Sequence, residues 1–217
     1  MFKKHLAAMA VILILPATAM AGQIGGLADA MGGQLLTTTV YVGLIDRDVK
    51  INGMDEDFTS NMLTVKATYG LNERVDLYAT LGKANIQGLA GFDGSLEDIY
   101  GGGAKFLLFE GVNKTRVIIN ADAKFLESSD GGDDVDYREL SAAVIISKKR
   151  GNLTPYGGIK VSDVLIDDSR TSKDWEEEKG TGFFAGVDYF VNPNVYFTGE
   201  IHVFAENTIY AGVGYNF

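Results

Sequence analysis

From about residue 36 onward, hydrophobic and polar residues alternate with a period of two. In the stretch MLTVKATYGL, Leu63, Val65 and Tyr69 share one parity, while Thr64 and Lys66 take the other. Glycine, β-branched and aromatic residues replace helix formers across most of the region. Such alternation indicates β-strands with one apolar face and one polar face. The pattern therefore predicts an all-β chain.

The segments between these strands alternate in length. Short connections rich in glycine, asparagine and proline, as tight hairpins require, fall at residues 71–74, 110–114, 149–152 and 191–194. Longer polar segments, predicted to be loops, fall at residues 52–60, 86–98, 127–136 and 163–180, and a last short connection falls at 205–207. Tight turns at one end and long loops at the other are typical of a closed antiparallel transmembrane β-barrel.

We predict ten strands for this barrel, with eight and twelve as alternatives, at about residues 36–51, 60–70, 75–86, 99–109, 115–126, 136–148, 153–163, 181–191, 195–204 and 208–217. A soluble barrel would point its charged face to water and fill its core with the aliphatic face. The polar face here mixes glycine, threonine, serine and tyrosine with nearly balanced charge, which is typical of an interior. The apolar face is therefore expected to contact lipid.

The amino end predicts export. A basic start at residues 1–5 precedes an apolar run at 6–15 and the small-residue pattern Ala19-Met20-Ala21. These are the parts of a signal peptide, and the run is too short for a membrane-spanning helix. We predict a signal peptide at residues 1–21 with cleavage after Ala21, a glycine-rich lead-in or short plug at 22–35, and the barrel at 36–217.

Composition excludes several classes of function. The chain has no cysteine, so disulfides and thiolate metal sites are excluded. It carries 19 lysine and arginine residues against 29 aspartate and glutamate residues. Nucleic-acid binding needs the opposite balance of charge, so no nucleic-acid partner is expected.

The chain resembles the small outer-membrane β-barrel proteins of Gram-negative bacteria, in the class that includes the opacity and OmpA-like barrels. The resemblance rests on the signal peptide, on the hairpin YGLNERVDLYATLG at residues 69–82 and on the closing strand YAGVGYNF at residues 210–217. It implies insertion into the outer membrane, with outer-membrane lipid and lipopolysaccharide as surroundings. It also implies that Tyr215 and Phe217 form the signal read by the barrel assembly machinery. It identifies a class and leaves function and oligomeric state open.

Inward-facing charges are the main candidates for a functional site. Parity places five basic and five acidic side chains on the polar face, together with His202. Unpaired charges in a narrow lumen are costly, so we predict a structural ion-pair network, with an ion path or proton relay as the alternative. Its predicted members are Lys66, Asp76, Lys105, Arg116, Asp122, Lys124, Glu139, Lys160, Asp188, Glu200 and His202.

Catalysis would depend on His202, the only histidine left after processing. Strand pairing predicts that His202 lies opposite Tyr210 and near Phe184, with Glu200 two residues away on the same face. A catalytic base also needs a nucleophile or a water molecule within reach. We therefore predict a hydrogen-bonded lumen histidine, with no enzymatic activity and no cofactor.

Acidic clusters mark the predicted outer loops, at residues 55–57, 130–136 and 174–178. Clustered carboxylates suit calcium or magnesium, but their spacing matches no defined metal loop. We expect solvated charge and no metal site, with divalent bridging to lipopolysaccharide phosphates as the alternative. Trp175, the only tryptophan, could pack within its loop or contact a partner.

Three functions follow from this sequence. The favoured one is an integral outer-membrane barrel with a filled, ion-paired lumen, in a structural or surface-interaction role. The second is a narrow pore for ions or small solutes. Inner-face glycines lend it space, at positions Gly101, Gly103, Gly158, Gly182, Gly186, Gly212 and Gly214. An outer-membrane hydrolase is the third and least favoured.

Overall fold

The computed structural model describes residues 35–51, 54–170, 175–177 and 180–217. The predicted signal peptide and almost all of the lead-in lie outside these ranges, as does the predicted role of the Trp175 side chain. No helix in the described residues is long and apolar enough to cross a membrane.

The described chain is built almost entirely of antiparallel strands. Their bounds are β1 Leu36–Ile51, β2 Met54–Asn72, β3 Val75–Ala84, β4 Glu97–Glu110, β5 Thr115–Asp130, β6 Asp133–Lys148, β7 Leu153–Asp168, β8 Trp175–Glu177, β9 Thr181–Phe190, β10 Val195–Val203 and β11 Asn207–Asn216. One turn of 3-10 helix, Leu89–Gly91, lies between β3 and β4.

The sheet closes on itself. Neighbours along the chain pair with one another, β7 pairs with β9, and β11 pairs back with β1. This closing seam runs from the Thr37–Asn216 pair to the Asp46–Asn207 pair. The short strand β8 lies outside the cylinder's ten strands and pairs with β7 and β1. The predicted ten-stranded antiparallel barrel is confirmed.

The exposure of alternate residues shows which face of each strand points out of the barrel. Leu63, Leu81 and Leu140 are each about half exposed, at 49%, 56% and 58%, whereas their strand neighbours Thr64 and Glu139 are buried. The apolar parity therefore points outward and the polar parity points into the barrel. A water-soluble barrel would show the reverse arrangement.

Several segments predicted to be loops are strands instead. β2 begins at Met54, and the β5–β6 hairpin continues to a tight turn at Gly131 and Gly132. The acidic residues in these segments hid their alternation. In β6, exposed Asp134 stands next to buried Val135, so the segment has a charged outer face and an apolar inner face.

The two ends of the barrel differ. We call the end with the turns at residues 73–74, 111–114, 149–152 and 191–194 the short-turn end. At the opposite end, which we call the long-strand end, β1, β2 and β5 to β7 extend beyond the other strands. β3, β9, β10 and β11 are shorter, at nine or ten residues each.

Candidate functional site

An apolar cap fills the barrel at its long-strand end. Inward side chains of the long hairpins meet the segment after β3, where Ile86, Leu89 and Phe92 are almost completely buried. The cap consists of Val49, Phe58, Met62, Ala84, Ile86, Leu89, Phe92, Ile99, Leu126, Val135, Tyr137, Val164, Ile166 and Tyr210. Removal of this much apolar surface from water stabilises the cap as a packed unit.

Arg170 holds the 3-10 turn into the cap. Its Nη2 donates to the carbonyl oxygen of Leu89 at 3.1 Å and to Oδ2 of buried Asp168 at 2.8 Å. Its guanidinium also lies 5.0 Å from the ring centroid of Phe92. The hydrogen bond to Asp168 raises the pKa of Arg170 above its usual value. The contact is therefore a permanently charged one.

Tyrosine rings occupy the space that the inner-face glycines leave. A Cβ added to Gly103 would lie 2.5 Å from the hydroxyl of Tyr78, and one added to Gly43 would lie 2.6 Å from the ring of Tyr210. In each case the glycine and the ring are directly cross-strand partners. The same packing joins Tyr41 to Gly212, Tyr156 to Gly186, Tyr196 to Gly214 and Phe184 to Gly158. Five of the seven glycines predicted to lend space to a pore thus face rings, whereas Gly101 and Gly182 face Lys124 and Ala205 instead.

An ion cluster lies beside the cap, on its short-turn side. Glu139 contacts three cations, with its carboxylate 2.6 Å from Lys160, 3.1 Å from Lys124 and 3.5 Å from Arg47. Tyr137 donates to the same carboxylate at 2.9 Å. All of these side chains are buried. Several cations and a hydrogen-bond donor around one carboxylate offset the free-energy cost of burying its charge.

Glu206 is the second centre of the ion cluster. It contacts Arg47, and it lies 3.0 Å from Lys160 and 2.7 Å from Nδ1 of His202. Nε2 of His202 lies 2.6 Å from Glu200. Both ring nitrogens of the histidine are therefore engaged by carboxylates. We define the ion cluster as Arg47, Lys124, Glu139, Lys160, Glu200, His202 and Glu206.

Five further residues of the predicted network lie in the lumen outside the ion cluster. Asp122 accepts hydrogen bonds from Asn120, at 2.8 Å, and from Ser141, at 2.7 Å. The Lys66 ammonium lies 4.3 Å from the ring centroid of Tyr78. Asp76 and Lys105 are directly cross-strand partners, and Asp188 is completely buried between β7 and β10.

Arg116 lies apart from the other predicted residues. It is at the short-turn mouth, where it contacts Glu110 at 3.2 Å, and its side chain is 22% exposed. Its position at the start of β5 explains this, because the first inward residue of a strand lies at the rim of the barrel.

Two members of the ion cluster were absent from the predicted network. Arg47 stands between Asp46 and Asp48, so its segment shows no contrast between charged and apolar faces. Glu206 lies in the connection between β10 and β11, where parity gives no direction. A search for buried partners of the predicted inward charges would have been needed to find either residue.

The sequence predicted that His202 pairs with Tyr210, and this was wrong by two residues. His202 pairs with Thr208, and Glu200 pairs with Tyr210, because β10 ends at Val203 and β11 begins at Asn207. The rings of His202 and Tyr210 still meet edge to face, with centroids 5.4 Å apart. Phe184 is the other cross-strand partner of His202, as predicted.

A vestibule opens at the short-turn end. Its volume is about 820 Å³, and its lining includes Glu110, Lys114, Arg116, Lys149 and Phe190. The Lys149 ammonium lies 5.0 Å from the ring centroid of Phe190. We call this cavity the short-turn vestibule.

Acidic residues cover the outside of the long-strand end. A groove of about 510 Å³ is lined by Glu97, Asp98, Glu127, Asp134 and Asp136, together with Ser128 and Ser129. Within the described residues, no group of three or more histidine, aspartate or glutamate side chains has an arrangement that could hold a metal ion.

The fold has counterparts among solved structures. An outer membrane channel from Pseudomonas putida F1 is similar over 90% of this chain and 100% of that chain, with a TM-score of 0.52 and 11% sequence identity. This chain has the fold of outer-membrane β-barrels. Two further solved structures are weaker likenesses and do not add to this conclusion. One is the outer membrane protease OmpT from Escherichia coli, with a TM-score of 0.46, 12% identity, and 86% of this chain and 98% of that chain covered. The other is the translocator domain of autotransporter NalP from Neisseria meningitidis, with a TM-score of 0.44, 13% identity, and 99% of this chain and 94% of that chain covered.

No family model matches the chain, and no curated protein matches it either. The barrel class is thus supported by fold. The narrower resemblance to the opacity and OmpA-like barrels stays a prediction.

Proposed function

We propose that this protein is an integral outer-membrane β-barrel with an occluded lumen, and that it acts through its surface in a structural or interaction role. The observation that carries the proposal is the filled interior. From the long-strand end inward, the apolar cap, the ion cluster and the ring–glycine pairs follow one another across the barrel. A barrel of about this strand number encloses little free space once its side chains pack inward.

In the proposed orientation, the short-turn end faces the periplasm and the long-strand end faces the outside of the cell. The outward Tyr215 and Phe217 rings, with centroids 4.9 Å apart, would then lie in the periplasmic aromatic girdle. This position suits the predicted reading of Tyr215 and Phe217 by the barrel assembly machinery. Lipid and lipopolysaccharide would surround the half-exposed aliphatic face.

Conductance in a planar lipid bilayer tests the proposal. The refolded protein, with folding established by circular dichroism and heat-dependent electrophoretic mobility, is expected to insert without discrete current steps. An open porin refolded by the same procedure controls for insertion. Steps that scale with salt concentration would contradict an occluded lumen and favour the narrow pore.

The proposal includes no catalysis. His202 is 4% exposed, and both of its ring nitrogens face carboxylates, so it has no position from which to activate a substrate. The refolded protein is expected to leave peptide and lipid A substrates intact. Hydrolysis that disappears in His202→Asn would contradict this.

A further inference from the structure

The short-turn end concentrates positive charge in an acidic chain. The whole chain has a formal net charge of −10. Within the described residues, six basic and three acidic side chains lie in the four short turns or within two residues of them. The basic ones are Arg74, Lys114, Arg116, Lys148, Lys149 and Arg150, and the acidic ones are Glu73, Asp76 and Glu110. The end that carries the vestibule is therefore locally positive.

Half of these basic residues line the short-turn vestibule. Lys114 reaches it from the β4–β5 turn, Arg116 from the start of β5 and Lys149 from the β6–β7 turn, and Glu110 is the one carboxylate of the lining. The vestibule lining thus has a formal charge of +2. Glu110 contacts the Arg116 guanidinium at 3.2 Å and so orients it at the wall of the cavity.

The rest of the lining suits an organic molecule rather than a bare ion. The Phe190 ring and Val191 give an apolar wall, and Asn152, Asn192 and Asn216 add amide groups. The volume of about 820 Å³ lies in the usual range for small-molecule sites. Arginine together with lysine is the combination that proteins use to bind phosphate groups.

We propose that the short-turn vestibule binds the phosphate group of an organic phosphate. The group could belong to a soluble phosphate ester or to the headgroup of an anionic phospholipid, since both present the same chemistry. The inference does not depend on an occluded lumen, because a conducting barrel would have the same mouth.

Calorimetric titration of the refolded protein in zwitterionic detergent tests the soluble source, with glycerol 3-phosphate as the probe and glycerol as the neutral control. The lipid source is tested by thermal unfolding in nanodiscs of phosphatidylcholine, with and without phosphatidylglycerol. Binding in the first arm or a raised midpoint in the second supports the proposal and identifies the source. Neither effect in folded wild-type protein overturns it.

Three double variants decide whether the vestibule is the site. Arg116→Gln with Lys149→Gln removes two lining cations, and Arg74→Gln with Arg150→Gln removes two exposed cations of the same end outside the lining. The first pair is expected to weaken binding about tenfold and the second to leave it nearly unchanged. Equal loss in both would show general charge attraction and overturn the proposal. Lys114→Gln with Lys149→Gln provides a second lining variant that keeps the Arg116–Glu110 contact.

Discussion

Five of the inward tyrosines each rest on a glycine of the adjoining strand. A ring can lie flat against the barrel wall only where its partner has no side chain, and this holds for Tyr41, Tyr78, Tyr156, Tyr196 and Tyr210. Aromatic rings bury a large surface at low conformational cost. Glycine weakens a strand by itself, so its use here makes sense only together with the ring that covers it.

Substitution of one such glycine tests this packing. Gly43→Ala would place a Cβ 2.6 Å from the Tyr210 ring and 2.9 Å from Met62, so we expect the free energy of unfolding to fall by about 1–3 kcal/mol. Gly199→Ala is the matched control, because its Cβ would meet nothing closer than 3.9 Å. Urea unfolding in lipid vesicles measures both, and equal stability of the two variants would contradict the packing argument.

Glu206 is the residue on which the ion cluster depends most. Glu206→Gln would leave Arg47 and Lys160 sharing Glu139, so we expect a loss of about 3–5 kcal/mol of stability. Glu127→Gln, at an exposed outward position, makes the same chemical change and is expected to have little effect. The same unfolding measurement compares them. A loss of less than about 1 kcal/mol for Glu206→Gln would mean that the cluster adds little to stability.

The direction of most inward charges could be predicted from parity, because a strand sends alternate side chains to opposite faces. Lys124, Glu139 and Lys160 were placed in the lumen in this way. Parity says nothing about contacts across the barrel, which depend on the stagger between strands. The meeting of Arg47 with Glu206, which are 159 positions apart, was therefore beyond the sequence pattern.

At the scale of the element, the extended hairpins differ most from expectation. Runs of aspartate, serine and glycine at residues 127–136 predicted a loop, yet β5 and β6 continue to a turn at Gly131 and Gly132. The inner face of this hairpin is supported by Val135 in the cap. Tertiary packing outweighed local propensity, as is common for strands.

The segment between β3 and β4 should depend on Arg170. Arg170→Gln removes the charged contact to Asp168 and the hydrogen bond to Leu89, so amide hydrogen exchange across residues 86–94 should become roughly tenfold faster. Arg138→Gln, on an exposed outward position of β6, is the control. Unchanged exchange in Arg170→Gln would show that apolar packing alone holds the segment.

The whole molecule is polarised, with acidic residues around the long-strand end and basic residues around the short turns. The orientation proposed above can be tested because the chain has no cysteine, so a single introduced thiol is unique. Asp133→Cys in the β5–β6 hairpin should react in intact cells with a maleimide attached to a large polyethylene glycol. Val112→Cys, in the β4–β5 turn, should react only after lysis. The reverse pattern would invert the proposed orientation.

The position of β8 links one of its strand pairings to the closure of the cylinder. This strand pairs with Ile166 in β7 and with Val49 in β1, two strands that are far apart in the chain. The pairing with β7 is local in the chain, whereas the pairing with β1 requires that the first and last parts of the cylinder have already met. The pairing of β8 with β1 should therefore form late during refolding, after the other strands have formed, and so mark the moment at which the cylinder closes.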